Sequence, residues 1–267
     1  MKNYKSRSMI FKKPMRIISL ILIISIILNV ESEAVFGKKK ISLFGKDNNS
    51  EYIIISGGPA LRKWEDLRIE KYQHDRWWGN FIRSARARIQ ELRKEKGEKY
   101  KITWLVYKPS YETRSSEDDN PLISWVNSVQ KKYNVNLVWI FKSNEIINYI
   151  NNGRDRKKTK IDGFEYYGHS NRYAFLIDYS NDIIGASTVY LHENDLKQIR
   201  RTSFNRKAIC VSYGCNTGES MSKKWRKATG IKMRAAIGKT DYSNPLKPVV
   251  VPPGHWNDSI LRLKLRH

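Results

Sequence analysis
Residues 52–59 read Tyr-Ile-Ile-Ile-Ser-Gly-Gly-Pro. The run from Tyr52 to Ser56 is rich in β-branched side chains and is closed by Gly57, Gly58 and Pro59. Such a segment reads as a strand followed by a turn. A strand with one wet face alternates apolar and polar positions, whereas a near-continuous apolar run belongs to a sheet covered on both faces. Further strands are read at 102–107 (ITWLVY), 135–141 (VNLVWIF), 161–167 (IDGFEYY), 208–213 (AICVSY) and 231–237 (IKMRAAI).

Helical patterns separate these runs. Trp78, Phe81, Ile82, Ala85, Ile89 and Leu92 recur at helical spacing, and Arg83, Arg86 and Arg88 on the other faces are expected to meet solvent. Pro109 stops the second strand, residues 110–120 are expected as a polar loop, and Pro121 opens a helix carrying Leu122, Trp125, Val126, Val129 and Tyr133 on one face. A short helix is expected at 144–150, then a basic loop at 151–160 with no apolar anchor. A hairpin around Asn181 and Asp182 and helices near 193–201 and 219–228 complete the pattern. Strands alternating with helices give an α/β fold, a mainly parallel sheet with helices on both faces in three layers. Ligands in such sheets bind beyond the carboxyl ends of the strands.

Composition narrows the class. The 267 residues include 50 Lys and Arg against 26 Asp and Glu, a formal charge of +24. With 40% hydrophobic residues, eight Trp and fifteen Tyr, the chain can bury a real core, which excludes a disordered polymer. Two cysteines exclude a disulfide scaffold and a four-cysteine zinc module. No internal repeat is present, so solenoids and propellers are excluded.

At the amino end, Lys12, Lys13 and Arg16 precede an uncharged run from 17 to 30, followed by Ser32-Glu33-Ala34. Fourteen helical residues reach roughly 21 Å, short of the ~30 Å hydrocarbon core. The basic, apolar and small-residue order reads residues 1–34 as a signal peptide for a secreted or periplasmic protein, with an uncleaved membrane anchor as the rival reading. Residues 35–50 read as a linker, and 51–267 as a single α/β domain with a proline-rich carboxyl-terminal tail. Removing 1–34 leaves 44 basic against 24 acidic residues, a net +20. Such charge draws acidic partners or anionic surfaces by long-range attraction, or simply solvates the exterior. No specific nucleic-acid motif is present. A membrane partner follows only if the signal peptide stays attached.

Two strand ends carry chemistry. The strand GFEYYGHS delivers His169 just after Gly168, and AICVSYGCNTG delivers Cys215 just after Gly214. Parallel strands in one sheet would bring both side chains to the same rim. A free thiol with a pKa near ~8.5 is mostly protonated at neutral pH, and a nearby imidazole can generate the thiolate and later protonate a leaving amine. The flanking glycines let the backbone turn sharply. The N–H groups of Cys215 and Ser170 are candidate donors to an oxyanion. Cys210 lies five residues from Cys215, roughly 16 Å along an extended strand and beyond the ~7 Å reach of a disulfide, so it reads as a small buried apolar residue.

At these residues the chain resembles the caspase-hemoglobinase fold of cysteine peptidases (clan CD), the group that holds caspases, gingipains, legumains and separases. Members carry the catalytic His after one parallel strand and the Cys after the next. The separation here is 46 residues, close to the ~50 of caspases. YGCNTG is similar to the cysteine motif of bacterial caspase-like domains, and YGHS to their histidine motif. The likeness spans 52–242, with about a dozen residues in the specific motifs. It implies that His169 is general base and acid, that Cys215 is the nucleophile, and that the residue after the histidine lends its N–H to the oxyanion. That residue is glycine in many members and Ser170 here. The Gln-Ala-Cys context of caspases is absent, so cleavage after aspartate is not implied. The implied reaction is hydrolysis of a protein or peptide substrate through a thioester, without metal or cofactor.

Other readings are weaker. A cysteine phosphatase needs Arg six positions after its Cys, where Met221 stands. Cys210, Cys215 and the histidines lack zinc-ligand spacing. His192 reads as sitting near a helix start, His74 as a structural residue among aromatics, and His255 as part of a tail that wraps the domain or borders a cleft. Asp178 and Asp241 are candidates to orient groups or to serve as turn residues. A binding module of the same fold, inactive and recognising an acidic protein or anionic polymer, is the alternative to the enzyme.

Overall fold
The computed structural model describes residues 49–70, 73, 75–179, 188–244 and 249–258, all within one compact unit. The signal peptide read at 1–34, most of the linker, His74, the hairpin residues Asn181 and Asp182, and His267 lie outside the described residues.

The segment YIIIS forms the centre of the molecule. It lies in β1 (Ser50–Ser56), buried at every position. Successive side chains of a strand point to opposite faces. Ile53 and Ile55 therefore enter one apolar cluster, while Tyr52 and Ile54 enter another. Around β1 are β2 (Lys101–Tyr107), β3 (Asn136–Ile140), β4 (Lys160–Tyr167), β8 (Phe204–Ser212) and β9 (Met233–Ala235). Their order is β3-β2-β1-β4-β8-β9, and every neighbouring pair is parallel. The chain starts in the middle of the sheet, builds outward to β3, then crosses back to β4 beside β1. Such a reversal leaves an open crevice at the carboxyl ends of the central strands.

Helices cover both faces. One face holds α2 (Asn80–Lys96), α3 (Lys108–Asp118) and α4 (Leu122–Tyr133), packed on Tyr52, Ile54 and Trp104. The other holds α5 (Asn144–Asn152) and α6 (Met221–Thr229), packed on Ile55, Phe164 and Cys210. A five-residue helix, α1 (Arg62–Asp66), lies in the β1–α2 connection. The fold is a three-layer α/β sandwich, consistent with the caspase-hemoglobinase type. In α2, Phe81, Ile82, Ile89 and Leu92 are each no more than 5% exposed. Each contributes about 1.5–3 kcal/mol by leaving water. A small antiparallel sheet, β5 (His169–Ser170), β6 (Ala174–Leu176) and β7 (Tyr190–His192), extends from the end of β4.

Three expectations are corrected. Residues 110–120 are not a loop: α3 starts at Lys108, with Pro109 in its first turn, where a missing N–H leaves no bond unmade. Its inward face is Ser110, Tyr111 and Arg114, so a buried arginine stands where an apolar residue would have revealed the helix. Arg83 and Arg88 are not solvent-facing: Arg83 is buried and Arg88 is only partly exposed. Arg83 donates to the carbonyls of Tyr242 and Asn244, and Arg88 pairs with the buried Glu165 at 2.9 Å. The helix read near 193–201 is instead two short 3-10 turns, Asp195–Gln198 and Arg201–Ser203. The basic loop read at 151–160 is held without an apolar anchor: Arg156 enters the interior and bonds Glu51 Oε2 at 2.5 Å.

Candidate active site
β4 and β8 are parallel neighbours whose ends stand level, Tyr166 opposite Ser212. His169 and Cys215 therefore leave the sheet at the same rim. Both line one cleft of about 420 Å³, together with Gly168, Ser170, Asn216, Thr240 and Tyr242.

The local sequence accounts for the two turns. A Cβ on Gly168 would stand 2.4 Å from Tyr166 Oη, and one on Gly214 would stand 2.3 Å from Ser170 Oγ. Neither position has room for a side chain. Tyr166 Oη donates to the carbonyl of His169 at 2.6 Å, and its ring stacks on Phe175 with centroids 4.0 Å apart. Beyond Gly214 the turn is closed by Thr217, whose hydroxyl donates to the Gly214 carbonyl at 2.9 Å.

Ser170 does not point its hydroxyl at an incoming substrate. Its Oγ donates to the Cys215 carbonyl at 2.8 Å, tying the two strand ends together. Its backbone is also placed by pairing. Asn171 N–H bonds the Ala174 carbonyl, and Ser170 stands opposite Phe175. Antiparallel partners alternate between bonded and non-bonded pairs. Ser170 falls on a non-bonded pair, so its N–H faces away from β6. Cys215 N–H has no acceptor among the described residues.

His169 is held by a residue absent from the sequence-level site. Its Nε2 shares a hydrogen bond with Asp75 Oδ2, and Phe81 meets the ring edge-on at 5.1 Å. Asp75 is 1% exposed and fixed from several directions. Ala60 N–H donates to the same Oδ2 at 2.7 Å, Glu65 Oε2 accepts the Asp75 N–H at 3.0 Å, and Arg114 donates to the Asp75 carbonyl at 2.9 Å. Burial works against ionisation of Asp75, but the His169 charge and hydrogen bond, the Ala60 amide and Arg114 outweigh it and hold the carboxyl below its usual range. Glu65 shows the opposite balance: burial and the neighbouring Asp75 charge raise its pKa, against the Asp75 N–H and Arg68.

Cys215 is partly buried, and its Sγ is 3.4 Å from both the N–H and the Oγ1 of Thr240. The loop that carries Thr240 is itself tied down by the tail. Ile237 N–H bonds the His255 carbonyl at 2.6 Å, and Asp241 and Val250 exchange two backbone bonds of 2.8 Å. His255 thus belongs to a strap on this loop.

Compared with protein-family models, curated proteins and solved structures, the chain has no match.

The remaining candidates serve elsewhere. Cys210 is 2% exposed, its thiol pushed up to about 12 by burial, and both cysteines are free. Asp178 is buried and accepts hydrogen bonds from Ser110 and Thr188, while Asp241 accepts the Ser243 N–H. Neither holds His169. His192 Nδ1 accepts the Asn194 N–H beside the first 3-10 turn. Among the described residues, no group of three His, Cys, Asp or Glu is gathered for a metal. The signal for Asp75 was slight. It lies in HDRWWG, where clustered aromatics mark an ordered connection but nothing in the spacing marks the acid.

Proposed function
We propose that the chain is a cysteine peptidase of the caspase-like kind, with Cys215 as nucleophile, His169 as general acid and base, and Asp75 as the residue that orients His169. One observation carries this reading: an imidazole paired to a buried carboxylate lines the same cleft as a partly exposed thiol at the end of the adjacent strand.

With Asp75 on Nε2, the nitrogen left to exchange protons is Nδ1. The Cys215 thiolate attacks the scissile carbonyl carbon and a C–S bond forms. The carbonyl oxygen takes the negative charge against the N–H groups of Cys215 and Ser170, each such donor being worth ~3–4 kcal/mol in the transition state. As the C–N bond breaks, the proton on Nδ1 passes to the departing amine. Water then attacks the thioester and gives a proton to Nδ1, the C–S bond breaks, and a carboxylate product leaves. The Thr240 N–H, 3.4 Å from the sulfur, holds Sγ in place in the cleft.

The substrate is a protein or peptide met outside the cytoplasm, after export directed by residues 1–34. Arg68 and Lys239 also line the cleft, which suits a substrate with acidic side chains. The test is labelling with a peptidyl acyloxymethyl ketone, located by mass spectrometry, in the wild type, Cys215→Ala and His169→Ala. Labelling at Cys215 that collapses without His169 supports the dyad. Equally slow labelling of wild type and His169→Ala would sink the enzyme in favour of a binding module.

A further inference from the structure
The amino-terminal edge of the sheet holds a second concavity, about 590 Å³ in volume. Its cations are Arg154, Arg156, Lys157, Lys160 and Arg200, and Ser203 stands among them. They come from the loop after α5, the first residue of β4 and the turns before β8. β4 starts at Lys160 and ends two residues before His169, so this cavity lies roughly 26 Å from the catalytic rim.

The charges there do not balance. Arg154 and Arg156 share one buried carboxylate, Glu51, at 2.7 and 2.5 Å. Asp155, on the cavity wall, is 3.9 Å from Lys158. Lys157, Lys160 and Arg200 have no carboxylate partner among the described residues. Five cations thus meet two anions in a concave space, where their mutual repulsion is less screened than on a convex surface.

Two observations indicate what relieves that repulsion. Arg200 is held in place, with Nη2 donating to the Asn151 carbonyl at 2.6 Å and also to Asn152 Oδ1. A fixed guanidinium is suited to the paired oxygens of a tetrahedral oxyanion. Ser203 is fully buried and its Oγ has no hydrogen-bond partner, although a buried hydroxyl left unbonded costs about 1–3 kcal/mol. A ligand rich in acceptor oxygens satisfies both demands, and the volume suits a compact one. The geometry points to a binding site for a small multivalent oxyanion, phosphorylated or sulfated, separate from the proposed peptidase cleft and independent of it.

Isothermal titration calorimetry of the full chain in low salt tests this, with tripolyphosphate and sucrose octasulfate as separate probes to tell phosphate from sulfate. Saturable binding of one molecule per chain is expected for at least one probe. Lys157→Glu with Arg200→Glu should weaken it about a hundredfold, roughly tenfold for each charged contact. Lys131→Glu with Lys132→Glu on α4 changes net charge equally and should leave binding unchanged within about twofold. Because Arg200 also bonds its neighbours, Lys157→Glu alone, at an exposed side chain, is the second variant and should cost about tenfold. Absence of saturable binding to both probes, or equal weakening by the two double variants, overturns the assignment.

Discussion

Asp75 and His169, 94 residues apart in the chain, share a hydrogen bond between Oδ2 and Nε2. The carboxylate comes from the connection after β1 and the imidazole from the end of β4, strands that are parallel neighbours. A contact of this kind exists only once the sheet is assembled, so the proposed catalytic group is a product of folding. The protonation of Asp75 also couples to stability.

Asp75→Asn removes the charge while keeping much of the shape. If Asp75 orients His169, peptidyl-ketone labelling at Cys215 should slow on the order of 10²–10⁴-fold, judged by second-order rate constants. Melting temperature at neutral pH is the control, and an unchanged rate in a folded variant excludes the orienting role.

The same variant has a signature in acid. The folded-state pKa of Asp75 lies below its unfolded value. Its contribution to stability is therefore complete above the ordinary carboxylate value near ~3.9 and is lost as the pH falls through the folded value. Urea midpoints of the wild type should drop on that acid limb, and Asp75→Asn should flatten the drop. Parallel limbs for the two proteins would contradict the pairing.

Gly214→Ala would press a methyl group against Ser170 Oγ at 2.3 Å and Ser170 Cβ at 2.8 Å. A loss of about 1–3 kcal/mol is expected in chemical denaturation. Ser170→Gly removes both obstructing atoms and keeps the N–H, so the double variant should recover much of that loss. A purely additive double-mutant cycle would show that the clash is not with Ser170.

The two thiols should behave differently. Cys215 lines the cleft, whereas Cys210 is buried with its thiol pushed up to about 12. Iodoacetamide at neutral pH should modify Cys215 alone, and Cys210 only after unfolding. Mass-resolved labelling at equal rates in the native protein would contradict this packing.

Arg156→Met leaves Glu51 buried with Thr103, Tyr149 and Arg154 as its remaining partners. Breaking a buried ion pair on one side typically costs about 3–5 kcal/mol, while removing both charges costs less. Arg156→Met should therefore be less stable than Arg156→Met combined with Glu51→Gln. Denaturation curves in the reverse order would mean that Arg156 does not carry the loop.

The sheet was legible because its central strands, β1 and β2 above all, are written as near-continuous apolar runs, and a run buried on both faces needs no knowledge of its neighbours to be recognised. His169 and Cys215 were legible for a related reason: a glycine after such a run marks where the chain leaves the sheet. Arg83, Arg88, Arg114 and Arg156 were misread together, since each side chain turns inward to satisfy a carbonyl or carboxylate far away in sequence. Periodicity treats arginine as an outward residue and has no access to such partners. Asp75 escaped on the same ground, and α3 because a polar stripe can face inward when its partners are already there.

The strap formed by residues 249–256 sets an order of events during translation. Cys215 leaves the ribosome first, Thr240 next, and His255 and Val250, which pin the Thr240 loop, only afterwards. A chain that stops before position 249 would keep the Thr240 N–H but lack the residues that pin its loop beside the thiol. A protein truncated before position 249 should thus be alkylated at Cys215 more readily than the full chain.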